Sequence, residues 1–223
     1  MISVVVPVFN EEKTIKELHC RIVEAMGKQK DAFEIIFVND GSTDNTEKEA
    51  KNLKPLKLIS CAKNRGQTLA LDTGMQAANG EIIVFIDADL QNDPEDILKL
   101  LGKISEGCDV AVGRRQNRQD AMPRILFSRF ANLLTRLALR TNIHDFGCGL
   151  KAYRSKFIKD FRLWGQMQIF LPAIAKSRGA KVCEVTVSHG LRKTGGSKIK
   201  FSNMMEAGIN LLKVVFITRF SKK

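Results

Sequence analysis

Strand-like and helix-like segments alternate five times within the first 113 residues, and this alternation restricts the possible folds more than any other feature of the chain. Short runs rich in Val and Ile are interleaved with stretches whose apolar residues recur at helical spacing. A chain with this order folds as an open, mostly parallel, doubly wound sheet, so we predict an α/β fold built on a single sheet. The predicted strands are residues 2–7, 33–38, 56–61, 81–86 and 109–112, and the predicted helices are 11–26, 43–53, 68–78 and one that starts at Asp93.

The alternation ends at Gly113, and the remainder of the chain is rich in Lys and Arg. Here the pattern predicts helices at 124–140, 166–177 and 202–220, and short strands at 149–154 and 182–188. No linker rich in Pro, Gly or Ser separates the two halves, so we expect the second half to pack on the first. The predicted organisation is one domain over residues 1–201, with halves 1–113 and 114–201, followed by an amphipathic helix over residues 202–223.

The charge of the chain differs sharply between these halves. Residues 1–113 contain 13 Lys and Arg against 19 Asp and Glu, whereas residues 114–223 contain 23 against 5, which gives net charges of −6 and +18. An acidic half beside a basic half predicts a cation site next to a site for a polyanion. The candidate polyanions are a nucleic acid, a nucleoside diphosphate and an anionic membrane surface.

Composition narrows the class of protein. With 44% hydrophobic and 27% charged residues the chain is globular. Its longest uncharged run, residues 163–175, is shorter than the roughly 20 residues that span a bilayer, so we expect no spanning helix. Glu11 and Glu12 interrupt the N-terminal apolar run, so we expect no secretory signal. The five cysteines are odd in number and lack a Cys-x-x-Cys pair, so we expect reduced thiols without disulfides, and a cytoplasmic protein.

Polar side chains follow three of the predicted strands, at the ends where doubly wound sheets bind ligands. They are Pro7, Phe9 and Glu11 after the first strand, Asp40 after the second, and Asp87, Asp89 and Gln91 after the fourth. Because the carboxyl ends of parallel strands meet at one edge of a sheet, we expect these side chains to lie close together.

The pair Asp87 and Asp89 is the sharpest of these signals. Residues two apart in an extended chain face the same way, so the two carboxylates converge, and hard oxygen ligands suit Mg²⁺ or Mn²⁺. The structural alternative is that Asp89 caps the following helix while Asp87 pairs with a later arginine. Asp93 is the better cap, since Pro94 follows it at the first helical position.

The other two clusters also have plain structural explanations. Ser42 or Thr43 would cap the next helix while Gly41 permits the turn, and Glu11 and Glu12 would favour the positive end of the first helix. The chain contains no Gly-x-Gly-x-x-Gly, phosphate-binding Gly-x-x-x-x-Gly-Lys-Ser/Thr, His-Glu-x-x-His or Gly-x-Ser-x-Gly motif. From these residues alone, the metal site is the better supported hypothesis.

The chain resembles the family 2 glycosyltransferases in three successive motifs: VVVPVFNEE at 4–12, VNDGSTD at 38–44 and DADLQN at 87–92. In the basic half, HDFGCGLKAYR at 144–154 and HGLRKTGGSK at 189–198 resemble the branch that contains dolichol-phosphate mannose synthase and the bacterial undecaprenyl-phosphate sugar transferases. GRRQNRQD at 113–120 is similar to the aminoarabinose-transferring members of that branch. The resemblance covers about residues 2–220 and implies the nucleotide-diphospho-sugar transferase fold of the GT-A type.

The resemblance also implies roles for individual residues. The nucleotide of the donor would be bound by Pro7, Phe9, Glu11, Asp40 and Asp87, with Asp40 accepting from the base. The metal would be held by Asp87, Asp89 and Gln91. Donor and acceptor phosphates would be bound by Arg115, Arg124, Arg192 and Lys198. The catalytic group would comprise Asp89, Asp145, Arg115 and Arg192.

Three departures from the family pattern are visible. Phe9 replaces the more usual tyrosine, and Gln168 and Ile169 stand where some relatives carry His-Arg. Many bacterial relatives also continue into two transmembrane helices after the final amphipathic helix.

The activity that the resemblance implies is transfer of a sugar from a GDP- or UDP-sugar to a polyprenyl phosphate, dependent on Mg²⁺ or Mn²⁺ and with inversion at the anomeric carbon. The alternative is transfer to a glycan or another hydroxyl acceptor, for which Asp145 is the candidate base. A nucleic-acid-binding protein is disfavoured because the chain has one Trp and one Tyr and no reader motif. We expect a peripheral protein at the cytoplasmic face of a membrane, held on anionic lipid by residues 203–220 and flanking lysines, or recruited by a membrane-anchoring subunit.

Overall fold

The computed structural model describes residues 1–116, 122–190 and 201–220. The strands are β1 (Ile2–Val8), β2 (Phe33–Asn39), β3 (Lys57–Ser60), β4 (Ile82–Phe85), β5 (Val110–Arg115), β6 (Lys151–Arg154) and β7 (Val182–Val187). The α-helices are α1 (Ile15–Gly27), α2 (Thr46–Ala50), α3 (Gln67–Ala77), α4 (Asp96–Ser105), α5 (Met122–Leu139), α6 (Leu171–Ser177) and α7 (Phe201–Phe220). Two short 3₁₀ turns lie at Ser155–Phe157 and Met167–Ile169.

All seven strands form one sheet in the order β3-β2-β1-β4-β6-β5-β7. Neighbouring strands run parallel except for β6, which is antiparallel to both β4 and β5. The predicted α/β fold with a single, mostly parallel sheet is therefore confirmed. Strands β6 and β7 follow residue 113 in the chain, so both halves of the sequence contribute to the same sheet.

Two apolar cores lie on opposite faces of the sheet, because successive side chains of a strand point to opposite sides. In β1, Val4 and Val6 belong to one core and Val5 to the other. The first core is covered by α1 and α4, and the second by α3 and α6, with Val214 of α7 also buried there. Helices on both faces make the sheet doubly wound, as the sequence predicts.

Helix ends differ from the predicted ones where local chemistry intervenes. The predicted helix at 166–177 is divided, because Pro172 has no amide hydrogen and stands in the first turn of α6, after the 3₁₀ turn at Met167–Ile169. Helix α4 begins at Asp96, after a turn in which Asp93 Oδ1 accepts a hydrogen bond from Glu95 N at 3.1 Å. Asp93 therefore supplies its carboxylate to the turn that leads into the helix.

The expectation that the cysteines form no disulfide is wrong, because Cys108 and Cys183 are bonded to each other. Cys183 lies on β7 opposite Ala111 of β5, and Cys108 stands just ahead of β5, so the parallel pairing of these strands brings the two thiols together. They are 75 residues apart in sequence, and no spacing rule could have indicated the pair. The remaining cysteines, Cys20, Cys61 and Cys148, are free thiols.

Candidate functional site

Strands β2, β1 and β4 are neighbours in the sheet, and their carboxyl ends carry the three polar clusters. Val8 at the end of β1 pairs with Asn39 at the end of β2, and Asp40 N donates to Val8 O at 2.8 Å. Val5 pairs with Phe85, so Asp87 follows β4 at the same edge. The structure thus brings together the residues that the sequence placed after these three strands.

The Asp87 carboxylate is held between two parts of the chain. Gln67 Nε2, at the start of α3, donates to Asp87 Oδ1 at 2.7 Å. On the other side the carboxylate rests on the backbone of Gly149, where an added Cβ would lie 2.0 Å from Asp87 Oδ2. The Asp87 carboxylate therefore fits in this position only because residue 149 is a glycine. Any side chain at position 149 would collide with it.

Asp89 lies in a tight turn immediately after Asp87, with 6% of its surface exposed. Its Oδ1 accepts from Gln91 N at 3.1 Å, and Leu90 between them has a φ of 60°. A left-handed conformation costs a leucine about 1 kcal/mol, and such strain is found most often at functional sites. The turn keeps Asp89 beside Asp87, while Asp93 serves the turn ahead of α4.

The donor chemistry at this edge fits a hard divalent cation. Asp87 and Asp89 supply carboxylate oxygens, and no group of three or more His, Cys, Asp or Glu side chains suited to a metal occurs in the part of the chain that the structure describes. Two protein carboxylates leave coordination positions for water and substrate phosphates, which is how Mg²⁺ is commonly held. Gln91, the third expected ligand, donates from Nε2 to Gly190 O at 3.2 Å, and its place on a metal stays a prediction.

Asp40 is 2% exposed and holds the loop that follows β3. Its two carboxylate oxygens accept from Arg65 N at 2.9 Å and from Gly66 N at 2.7 Å. Gly41 supports this contact: its φ is 67°, and an added Cβ would lie 2.5 Å from the carbonyl carbon of Lys63. Both oxygens thus bind backbone amides, and the expected contact of Asp40 with a nucleotide base stays a prediction.

The first cluster forms a turn that is bonded to the second. Glu11 N donates to Thr46 Oγ1 at 2.8 Å, and Glu11 Oε2 accepts from the Thr14 hydroxyl at 2.9 Å. Pro7 and Phe9 are half-buried at the same edge. These contacts tie Glu11 to the protein itself. The predicted role of Glu11 in binding the nucleotide stays a prediction.

A buried ion pair stands on the other side of β6. Arg115 Nε donates to Asp145 Oδ2 at 2.7 Å and Arg115 Nη2 donates to Asp145 Oδ1 at 2.8 Å, so the pair is bidentate. Asp145 is 5% exposed. An added Cβ at Gly147 would lie 3.0 Å from Arg115 Nη2, so residues 147–149 separate this pair from Asp87.

Glu184 of β7 holds the segment that carries Asp145. Its Oε1 accepts from His144 N at 2.6 Å and from Asp145 N at 3.2 Å, and its Oε2 lies 2.6 Å from His144 Nδ1. Burial raises the pKa of the nearby Cys148 thiol to about 12, so this thiol is uncharged at neutral pH.

Several expected phosphate-binding residues lie outside what the structure describes. Arg192 and Lys198 fall in residues 191–200, and for Arg124 only the backbone, in α5, is described. Sequence reasoning in turn missed Gln67, Gly149 and Glu184. Gly149 and Glu184 contact only segments that are distant in the sequence, so no local pattern marks them. For Gln67, the one signal in the sequence is its position directly after Gly66, at the start of α3.

Comparison with known proteins identifies the family of the chain. The profile of the family described as Glycosyl transferase family 2 matches residues 3–162. Dodecaprenyl-phosphate galacturonate synthase of Rhizobium johnstonii is 36% identical over 231 residues, which cover 100% of this chain and 68% of that protein. Undecaprenyl-phosphate 4-deoxy-4-formamido-L-arabinose transferase of Proteus mirabilis is 35% identical over 216 residues, covering 95% and 66%. The chain thus spans about two thirds of the length of these relatives.

Among solved structures, glucosyl-3-phosphoglycerate synthase from Mycobacterium tuberculosis, in complex with Mn²⁺ and uridine-diphosphate-glucose, aligns with a TM-score of 0.70. The alignment has 22% sequence identity and covers 96% of this chain and 78% of that one, which establishes a shared fold. The family profile covers well over half of the chain, and the sequence relatives extend the resemblance to polyprenyl-phosphate sugar transferases. The chain therefore belongs to glycosyl transferase family 2 and is a glycosyltransferase.

Proposed function

We propose that the protein transfers a sugar from a nucleotide-sugar donor, a GDP- or UDP-sugar, to the phosphate of a polyprenyl phosphate at a membrane surface. The observation that carries the proposal is that Asp87 and Asp89 lie at the same edge of the sheet as the buried pair of Arg115 and Asp145, across residues 147–149. The named relatives, which act on dodecaprenyl and undecaprenyl phosphate, support the same acceptor class.

Two carboxylates and a guanidinium suit the charge that develops in this reaction. The bond from the anomeric carbon to the donor diphosphate breaks, and negative charge builds on the departing diphosphate. Asp87 and Asp89 would hold a Mg²⁺ or Mn²⁺ ion, which supplies Lewis-acid stabilisation of that leaving group when bound. Arg115 lies across residues 147–149 from Asp87 and is paired with Asp145 through Nε and Nη2, so its contact with the diphosphate stays a prediction.

The state of Asp145 favours a phosphate acceptor over a hydroxyl acceptor. A hydroxyl nucleophile needs a base, and Asp145 is the candidate, yet both its oxygens accept hydrogen bonds from Arg115. Accepting a proton would break this bidentate pair. A phosphate monoester is already an anion at pH 7 and needs no base to attack. Direct attack opposite the leaving group would invert the anomeric centre.

Apolar side chains on two neighbouring helices support contact with a membrane. Helix α7 buries Val214 against the protein but exposes Ile209, Leu212 and Phe216. Helix α5, which contacts α7, exposes Phe130, Leu133, Leu134 and Leu137. No helix in the described residues reaches the length and apolar character needed to cross a bilayer. The exposed faces together would lie in the headgroup region, with basic side chains such as Lys213 and Arg219 near anionic lipid.

Transfer of radiolabelled sugar to undecaprenyl phosphate tests the proposed function. The full chain is incubated with Mn²⁺, the acceptor and each of a set of GDP- and UDP-sugars, with undecaprenol as the matched hydroxyl acceptor. We expect a labelled lipid product with the phosphate acceptor alone. Product with undecaprenol but not with its phosphate would contradict the proposal and favour the hydroxyl-acceptor alternative.

A flotation assay tests the membrane contact. The full chain should float with anionic vesicles at low salt, and substitution of both Leu212 and Phe216 by Glu should abolish flotation while leaving the buried side of α7 unchanged. These two positions are better targets than deletion of residues 203–223, because deletion would uncover the core around Val214. If the unaltered chain ignores anionic vesicles at low salt, recruitment by a separate membrane subunit becomes the better explanation.

A further inference from the structure

A buried lysine lies on an interior strand of the sheet, close to the candidate site. Lys151 is the first residue of β6, pairs with Phe85 of β4 and Val112 of β5, and is 5% exposed. Because β6 runs antiparallel to its neighbours, its first residue lies at their carboxyl ends, which is the edge that carries Asp87. The side chain is buried there and donates to backbone carbonyls.

Burial of an ammonium group is expensive, and an apolar residue would pack here without that penalty. Burial, with a smaller contribution from the positive charge of Arg115, lowers the pKa of Lys151 to about 8, while the negative charges of Asp145 and Asp87 act in the opposite direction and favour its charged form. The ammonium thus lies within the electrostatic reach of two carboxylates of the site. Stability of the fold alone does not account for a cation at this position.

The ammonium also joins two loops. Lys151 Nζ donates to Phe146 O at 2.9 Å and to Gln168 O at 3.3 Å. The first carbonyl directly follows Asp145 in the chain. The second belongs to the segment 165–168, whose Gln168 Oε1 accepts from the Thr68 hydroxyl at 2.5 Å.

Thr68 closes this set of contacts into a ring around the site. It follows Gln67, whose side chain holds Asp87. From Asp87 the contacts run through Gln67 and Thr68 to the segment 165–168, and then through Lys151 to the loop of Asp145 and Arg115. Gly149, which follows that loop, lies against Asp87 and completes the ring. Lys151 is the member of this ring that touches both loops at once.

We propose that Lys151 is a positioning residue for the transfer reaction: its buried ammonium group holds the Asp145 loop against the segment 165–168 and places a positive charge near Asp87 and Asp145 at neutral pH. This inference rests on the proposed function, since it assumes that transfer takes place at these carboxylates. Lys151 acts through the residues that it holds and does not contact substrate.

Three variants of the full chain test the inference, with Mn²⁺ alone as the binding probe. Lys151→Met removes the charge and the hydrogen bonds, and Lys151→Gln removes the charge but keeps a donor for the two carbonyls. Lys159→Met is the matched control, because Lys159 Nζ also donates to a backbone carbonyl, that of Ala78, at 2.6 Å but at the other end of α3. Thermal unfolding, Mn²⁺ titration and steady-state transfer are measured for each.

Both Lys151 variants should bind bare Mn²⁺ several-fold more tightly, because a positive charge behind its ligands has been removed. The kcat of Lys151→Met should nevertheless fall by about tenfold or more, with a smaller change in KM for the donor, because the Asp145 loop is no longer held in place. The kcat of Lys151→Gln should fall less, because the amide keeps a donor for the two carbonyls. The Lys159→Met variant should match the unaltered protein in both measurements. A purely structural role would weaken Mn²⁺ binding in step with thermal stability, so tighter binding with slower turnover separates the two roles.

Three results would overturn the inference. The first is a folded Lys151→Gln variant with unchanged Mn²⁺ affinity and turnover. The second is a loss of Mn²⁺ affinity in proportion to the loss of thermal stability. The third is failure of both Lys151 variants to fold. Either of these two results would mean that Lys151 has only a structural role. A chain that transfers nothing to polyprenyl phosphate would contradict the proposed function instead, and the Mn²⁺ titrations would still decide the role of Lys151.

Discussion

Gly149→Ala is expected to displace the Asp87 carboxylate while leaving the rest of the fold in place. The added Cβ would lie 2.0 Å from Asp87 Oδ2 and 2.4 Å from Asp87 Cγ, far inside van der Waals contact. The φ of Gly149 does not fall in the left-handed region, so alanine is permitted by the backbone. The effect of the substitution is therefore the collision with Asp87.

The collision can be relieved in two ways that differ in cost. If the backbone around residue 149 shifts, the free energy of unfolding falls by the roughly 1–3 kcal/mol that overpacking costs. If Asp87 rotates away, it loses the hydrogen bond from Gln67 and its place beside Asp89. Asp87 is half-buried and has two rotatable bonds, so we expect the second route. Disturbing the surroundings of a metal ligand typically lowers metal affinity by about 10- to 100-fold, and we expect a loss of this size for Mn²⁺.

Isothermal titration with Mn²⁺ and thermal unfolding together measure this prediction. Gly102→Ala is the matched control, since Gly102 lies within α4, has no atom within 4 Å of an added Cβ, and should gain up to about 1 kcal/mol of stability from the better helix former. The reasoning is refuted if Gly149→Ala binds Mn²⁺ and transfers sugar as well as the Gly102→Ala control does. Loss of folding in Gly149→Ala would show instead that the backbone, and not Asp87, absorbs the collision.

Three further outcomes follow from the described contacts. Asp89→Ala should abolish transfer while the protein still folds, because it removes a proposed metal ligand whose described hydrogen bond, from Gln91 N, lies within its own turn; near-normal turnover of the folded variant would remove the metal assignment. Glu184→Ala should lower kcat by roughly tenfold, because the backbone amides of His144 and Asp145 both lose their shared acceptor, Glu184 Oε1; an unchanged kcat would show that the Asp145 segment holds its place unaided. The pKa of Lys151 is about 8 in the folded protein and 10.5 in the unfolded chain, so the unfolded chain binds more protons between these pH values and stability rises with pH there. Between pH 8 and 10.5, the free energy of unfolding of the unaltered protein should therefore rise by up to about 3 kcal/mol more than that of Lys151→Met, as measured by urea unfolding. If the free energies of unfolding of the two proteins change with pH in parallel, the burial argument is contradicted.

The fold and the edge that carries the site could be predicted because both depend on local patterns. Alternating β-branched runs and helical spacing identify strands and helices one by one, and the rules for parallel sheets then place every carboxyl end on the same side. The grouping of Asp40 with Asp87 and Asp89 follows from that geometry alone. The antiparallel direction of β6, between β4 and β5, was not visible in its four residues.

The partners of the site residues could not be predicted, because they come from segments far apart in the chain. Gly149 accommodates Asp87 across 62 positions, and Glu184 holds His144 across 40. The bond between Cys108 and Cys183 depends in the same way on the pairing of β5 with β7. Such contacts depend on the sheet order and not on any local pattern.

The sequence by itself determined which residues are chemically able to bind a cation and phosphates, and which edge of the sheet they occupy, because residue type and strand periodicity are local properties. Only the tertiary structure decided how those residues are used. It paired Asp145 with Arg115, placed the Lys151 ammonium behind the carboxylates and set Asp87 on Gly149. Distances of 2–3 Å between distant segments are fixed by packing of the whole sheet, and no shorter stretch of the chain contains that information.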